Sequence, residues 1–329
     1  RRPRGCPHRT PVEMREAVVA LRKAWPGIGP RKIAGELRNR GLRPPSHSTI
    51  ALILKDAGLT KARRRRNARF RQWPDKLTEP DHSNHVWSVD YKGWFRMLSG
   101  EVCYPLTIMD GYSRFLIGVE ALSRPAFAPT REAFDRTFAR FGLPEIIRVD
   151  NGTPFAGAGA GGLSRLSALW LRLGIDVEFI DPGKPQQNGA HERMHRSLKR
   201  EIRLGSGLRQ QQRRFRAWRR IYNHNRPHEA LGMAVPAQVY ARSKRRYPAE
   251  IPDFQYDARH VVRRVKNSGE IKWAGRRRYI NQGLAGSQIG ILENGNGDLN
   301  VYAGSVLLGV LPATGSGGLI RPPEPVDEQ

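Results

Sequence analysis

The order of apolar segments between residues 84 and 205 constrains this chain more than any other feature. "HVWSVDYKGWFRM", "VCYPLTIMDG" and "SRFLIGVEAL" alternate or run apolar and are parted by turn residues, which predicts three hairpin-linked strands. A helical stretch over 128–141 follows, then a short apolar strand, "EIIRVD", that ends in the turn "NG". Residues 163–173 read as a helix, "DVEFI" as a strand and "NGAHERMHRSLKREI" (188–202) as a further helix. Three adjacent strands followed by alternating helices and strands imply a mixed sheet with helices on its faces.

The flanks have a different texture. Residues 1–60 contain three short helical patterns, with Pro11 and Pro30 near helix starts, Ser46 or Ser48 as a cap for the third, and Gly41 and Gly58 as stops. This predicts a helix-turn-helix domain whose third helix enters the major groove by its N-terminal end, with Ser46, His47, Ser48 and Thr49 facing DNA. A basic linker, 61–80, follows; Arg63, Arg64, Arg65 and Arg66 are too charged to pack and suit a DNA groove. The core is expected over 81–242, where residues 208–242 form a basic helical extension. Short β-rich pieces between Gly-rich turns predict a small β-barrel over 255–315, and 316–329 reads as a disordered tail. The fold class is therefore multidomain, joining an α-helical DNA-binding domain, an α/β mixed-sheet core and a small all-β barrel.

Charge follows the same divisions. The net charge of +27 divides into +15 over residues 1–80, +2 over 81–205 and +10 over 206–329. Basic ends around a nearly neutral centre suit a chain that neutralises a polyanion with its flanks and keeps carboxylates for chemistry in the middle. Double-stranded DNA is the expected partner. No apolar run reaches the length of a membrane span, and two cysteines are too few for a disulfide framework, so a cytoplasmic, nucleoid-associated protein is expected. The chain opens on Arg1, so further residues are expected to precede it.

The acids of the centre are the candidate chemistry. Asp90 lies in the first strand, Asp150 ends the fourth and Glu192 lies on a helix, so all three can converge at one sheet edge. Three hard oxygen donors suit Mg²⁺ or Mn²⁺, and two such ions clamp the attacking and leaving oxygens of an in-line phosphoryl displacement. Asp110 reads as a hairpin-turn residue. Lys184, Gln187 and Asn188 precede a helix start, where free amides and a cation offer a phosphate site or a simple cap.

His191-Glu192-Arg193-Met194-His195 also reads H-E-x-x-H, the spacing of a zinc hydrolase helix. Unwrapped at roughly 100° per residue, the helix buries Met194, Leu198 and Ile202, with the two histidines on the margin of that stripe. Glu192, Arg196 and Lys199 share the next face. A carboxylate for metal beside two cations for phosphates fits DNA better than zinc, for which no third ligand follows at a suitable spacing.

"VWSVDYKG", "YPLTIMDGYSRFLIGVEA", "GLPEIIRVDNGTPF", "FIDPGKPQQNGAHERMHRSLKREI" and "YNHNRPHEALGMAVPAQVY" resemble, in order and over roughly 85–240, the integrase catalytic core of bacterial insertion-sequence DDE transposases and retroviral integrases. The resemblance implies an RNase H-like fold, Asp90, Asp150 and Glu192 as the metal-binding triad with two Mg²⁺ or Mn²⁺ ions, and cleavage of transposon ends followed by strand transfer into target DNA. It also implies a homodimer or larger synaptic oligomer. There are departures. The 41 residues between Asp150 and Glu192 exceed the family's usual gap, and the excess maps onto "AGAGAGGLS" (156–164), expected to be a flexible loop. Cys6 and His8 lack a second metal-binding pair, so the zinc domain of the retroviral relatives is not expected. Two other readings are a catalytically silent, transposase-derived DNA-binding protein and a plain RNase H-type nuclease.

Overall fold

In the N-terminal region, helical spacing of apolar residues yields α1 (Val12–Ala24), α2 (Pro30–Asn39) and α3 (His47–Asp56). Pro30 sits in the first turn of α2, where its missing N–H breaks no helical bond. Of the two caps available to α3, Ser46 is used: its hydroxyl accepts from the Thr49 amide at 3.2 Å. Val18, Leu21, Ile33, Leu37, Ile50 and Leu54 close a small core between the three helices. The computed structural model describes residues 10–60, 77–157, 159–180, 185–293, 297–312 and 318–319. Arg63, Arg64, Arg65, Arg66 and Lys184, with Cys6 and His8, lie outside the described residues.

The centre contains β1 (Val86–Tyr91), β2 (Phe95–Arg96), β3 (Val102–Asp110), β4 (Leu116–Leu122), α4 (Phe127–Phe141), β5 (Ile146–Val149), α5 (Arg165–Arg172), β6 (Asp176–Phe179), α6 (Gly189–Glu201), α7 (Leu208–His224) and a short α8 (Pro236–Val239). The first apolar run divides into two strands because Gly93 turns the chain with a positive φ of 86°. One mixed sheet results. β4, β3 and β1 pair antiparallel, β1, β5 and β6 pair parallel, and β2 joins the start of β3.

Both faces of this sheet are covered, which explains the apolar runs. Trp87, Val89, Leu106 and Ile108 pack with Phe134 and Phe138 of α4 and Trp170 of α5. Residues of the opposite parity, such as Met109, share a second core with Met194 and Leu198 of α6 and Phe215 and Trp218 of α7. Ser88 and Asp90 thus lie on the α6 side of β1, because successive strand residues point to opposite faces.

The C-terminal region holds β7 (Val261–Arg264), β8 (Glu270–Trp273), β9 (Arg276–Tyr279), β10 (Gln288–Glu293), β11 (Leu299–Ala303) and β12 (Val306–Leu311). They form a four-stranded sheet in the order β12-β11-β10-β7 and a β8-β9 hairpin around one apolar core. The region is all-β as expected, but no ladder among the described residues closes it into a barrel. Of the glycine-rich loop at 156–164, the described residues 159–164 are docked instead of loose. Asn281 donates to the carbonyls of Ala160 at 2.9 Å and Leu163 at 3.1 Å. A Cβ on Gly159 would fall 2.4 Å from the Asn281 side chain, so glycine is what permits this approach.

Candidate active site

Strand register brings the first two acids together. β1 and β5 run parallel with Val86 opposite Ile146, Trp87 opposite Ile147 and Ser88 opposite Arg148. Continued by two residues, this register sets Asp90 beside Asp150. The turn after β5 holds Asp150 in place: its Oδ1 accepts from the Gly152 amide at 3.1 Å, and Asn151 ties the turn to the residue after β6 by donating to the Ile180 carbonyl at 2.6 Å.

The third acid arrives on α6, where Glu192 is exposed near the start of the helix. Electrostatics show the convergence. Burial first, then the charge of Asp150, pushes the Asp90 carboxyl up to about 7; Glu192 pushes the same way and Lys92 opposes it. Asp90, with the charges of Asp150 and Glu192 acting on it, completes an oxygen-only donor set of three carboxylates, which suits a hard divalent cation. They are more widely spread than a single-ion cage, because among the described residues only Asp81, His82 and His85 bring three such ligand atoms within 4.8 Å of one another.

The two histidines of H-E-x-x-H serve another purpose. His191 is fully buried and His195 nearly so. Thr107 on β3 donates to the Asp90 carbonyl at 2.8 Å and lies 2.6 Å from His191 Nε2 and 2.7 Å from His195 Nε2. A hydroxyl has one proton and two lone pairs, so Thr107 accepts from both imidazoles. Nδ1 of His191 then accepts from Ser88 Oγ at 2.9 Å. Burial lowers His191 to about 3 and His195 to about 2, so both rings are neutral. The 3.6 Å contact between His195 Nδ1 and Asp90 Oδ2 is therefore no ion pair. The histidines fasten α6 to β1 and β3 through both nitrogens of His191 and Nε2 of His195, while His195 Nδ1 faces Asp90.

Thr107 and Ser88 escaped the sequence reading. Their only signal was a hydroxyl in each of two otherwise apolar strand runs, and it meant nothing until α6 lay across them. Asp110 is a turn anchor as expected: buried, it accepts from the Asn84 amide at 2.6 Å and the Ser113 amide at 2.8 Å.

The other candidates are distributed as follows. Arg196 and Lys199 are exposed on α6 with Glu192, while Met194 and Leu198 are buried, as the helical unwrapping anticipated. Gln187 is buried instead of offering an open amide, and Asn188 borders α6 without making a side-chain cap. At α3, Ser46, His47 and Ser48 are exposed, but the Ser46 and Thr49 hydroxyls engage each other at 2.9 Å.

Residues 80–185 and 173–236 match the two models described as integrase core domain. An uncharacterized 31.7 kDa protein of insertion element IS407 from Burkholderia multivorans is 28% identical over 212 residues, covering 63% of this chain and 73% of the relative. A 39.2 kDa protein of insertion element IS476 from Xanthomonas euvesicatoria is 28% identical over 208 residues, covering 61% and 58%. The Gag-Pol polyprotein of baboon endogenous virus is 27% identical over 209 residues, covering 62% and only 11%. Among solved structures, the HTLV-2 integrase catalytic core domain in complex with magnesium gives a TM-score of 0.36 at 15% identity, over 49% of this chain and 99% of that one. A chain of the simian T-cell lymphotropic virus intasome in complex with PP2A regulatory subunit B56 gamma gives 0.41 at 14%, over 90% and 95%.

The chain thus contains an integrase core domain. Proteins of bacterial insertion elements are among its relatives.

Proposed function

We propose that this protein binds the ends of a transposable element and catalyses divalent-metal-dependent DNA cleavage and strand transfer. The observation that carries the reading is the convergence of Asp90, Asp150 and Glu192 on the α6 side of an integrase core. In this reading the three carboxylates hold two Mg²⁺ or Mn²⁺ ions. Divalent ions held there supply charge neutralisation for in-line phosphoryl displacement. Thr107, His191 and His195 keep the glutamate's helix seated, while Arg196 and Lys199 contact phosphates beside it.

The domains take on corresponding roles. Residues 1–60, as a helix-turn-helix, present Ser46, His47, Ser48 and Thr49 to DNA, and the linker 61–80 follows a groove. Residues 81–242 cut and join. The all-β domain at 255–315 adds DNA or subunit contacts. Two ends must be synapsed, so the working species is a dimer or larger.

A strand-transfer assay with end DNA and Mg²⁺ tests this. Joined product is expected from the wild type and none from Asp150→Asn; undiminished joining by the variant would contradict the reading. Sequence-specific end binding without nicking under any divalent metal would favour the silent DNA-binding alternative instead.

A further inference from the structure

α6 has a second polar face that the acidic site does not use. Arg193 and Ser197, with the apolar Ala190 and Met194, line a cleft of about 190 Å³. Its other walls come from Lys32 on α2, Arg114 in the turn between β3 and β4, and Arg226 and His228 after α7. The cleft lies where the N-terminal helices meet the core. Next to it α2 approaches the chain so closely that a Cβ on Gly35 would be 3.3 Å from both Pro227 and Met233.

The charge in this cleft is one-sided. Lys32, Arg114, Arg193 and Arg226 face a single lining carboxylate, the exposed Glu229. Glu201 neutralises one edge of Arg226, but it is already engaged, because its other oxygen accepts from Trp218 Nε1 at 2.9 Å. The cations disfavour one another: burial and then Arg226 push the Lys32 amine down, and burial and then Arg193 push the Arg114 guanidinium down. Two nitrogens are also left over. Arg226 and His228 are more than nine-tenths buried, and Arg226 Nε and His228 Nε2 have no hydrogen-bond partner among the described residues. Buried polar atoms of this kind are normally satisfied; Arg226 Nε can only donate, so the cleft lacks an acceptor, and the surplus of lining cations calls for one that carries negative charge.

The missing group has a definite chemistry. Guanidinium forks and an ammonium match the several oxygens of a phosphate group. The volume equals about six water molecules, which accommodates a single phosphate group, free or projecting from a backbone, and nothing larger. We propose that this cleft is an anion site for a single phosphate group, held by Lys32 of the N-terminal helices together with Arg114, Arg193 and Arg226 of the core. Occupied, it clamps the DNA-binding helices to the catalytic unit from the side of α6 opposite Glu192. The phosphate comes from a DNA backbone or from free phosphate. The site does not depend on the acidic triad, so it stands or falls separately from the proposed catalysis.

Equilibrium dialysis of the full chain against radiolabelled inorganic phosphate, at physiological chloride, tests the proposal. One saturable site is expected. Arg193→Gln and Lys32→Gln should each weaken it about tenfold. Arg193 is exposed, so its variant keeps the fold. Lys272→Gln removes the same charge from exposed β8 and should leave binding unchanged. Asp150→Asn should also bind phosphate normally while failing to join DNA. Displacement of the phosphate by a short duplex identifies the backbone as the source, whereas binding of both together identifies free phosphate. Absence of a saturable site, or an equal loss in Lys272→Gln, would overturn the proposal.

Discussion

The strand-borne and helix-borne acids of the candidate active site are positioned by different means. Asp90 and Asp150 are set beside each other by the β1–β5 register, a backbone pairing that depends little on any one side chain. Glu192 rides on a helix whose seat against the sheet includes four buried polar side chains: Ser88, Thr107, His191 and His195. Backbone pairing tolerates substitution, whereas a buried polar network is strong when complete and expensive when one member is lost. The helix-borne acid is therefore the vulnerable member of the trio.

The largest expected effect tests the strand-borne half. Asp150→Asn preserves shape and removes charge, so strand transfer should fall by on the order of 10³-fold while thermal stability holds or rises, because Asp90 loses a repelling neighbour. Gel quantification of joined product alongside a melting curve checks both.

Next, Thr107→Val deprives two buried imidazoles of their acceptor and should destabilise the fold by roughly 2–4 kcal/mol, measured by denaturant unfolding. Thr107→Ser should recover most of that. Equal stability of the valine variant and the wild type would show that the network does not seat α6.

A subtler test uses pH. The Asp90 carboxyl titrates at about 7 in the fold but in its ordinary range when unfolded, so the native state holds the proton more tightly. Its contribution to stability is therefore full below about pH 4 and is lost as pH rises through about 7. A divalent cation takes the deprotonated form, so Mg²⁺ should raise the melting temperature more at about pH 8 than at about pH 5. An equal rise at both would break the link between the buried carboxyl and the cation.

The smallest effect concerns DNA reading at α3. His47→Ala should weaken end binding only a few-fold, about 1 kcal/mol, in a salt-controlled binding titration.

How much was legible follows the same divide. The sheet could be read because strands covered on both faces leave apolar runs, and the acids stood out against them in "WSVDYKG" and "IIRVDNG". The helical face shared by Glu192, Arg196 and Lys199 followed from angular spacing alone. Thr107 was illegible because its role depends on two residues more than eighty positions away. His191 and His195 were placed only on the margin of the buried stripe, since no local pattern distinguishes a metal ligand from a core hydrogen-bonder. The loop at 156–164 misled for a related reason: glycines that signal freedom in isolation here permit close packing against Asn281.

The convergence of two strand-borne acids and one helix-borne acid can be measured without any DNA. Calorimetric titration of Mn²⁺ at about pH 8 should give binding to the wild type that Asp90→Asn, Asp150→Asn and Glu192→Gln each weaken at least tenfold. Wild-type affinity in any one of the three would contradict a single site built from both kinds of element.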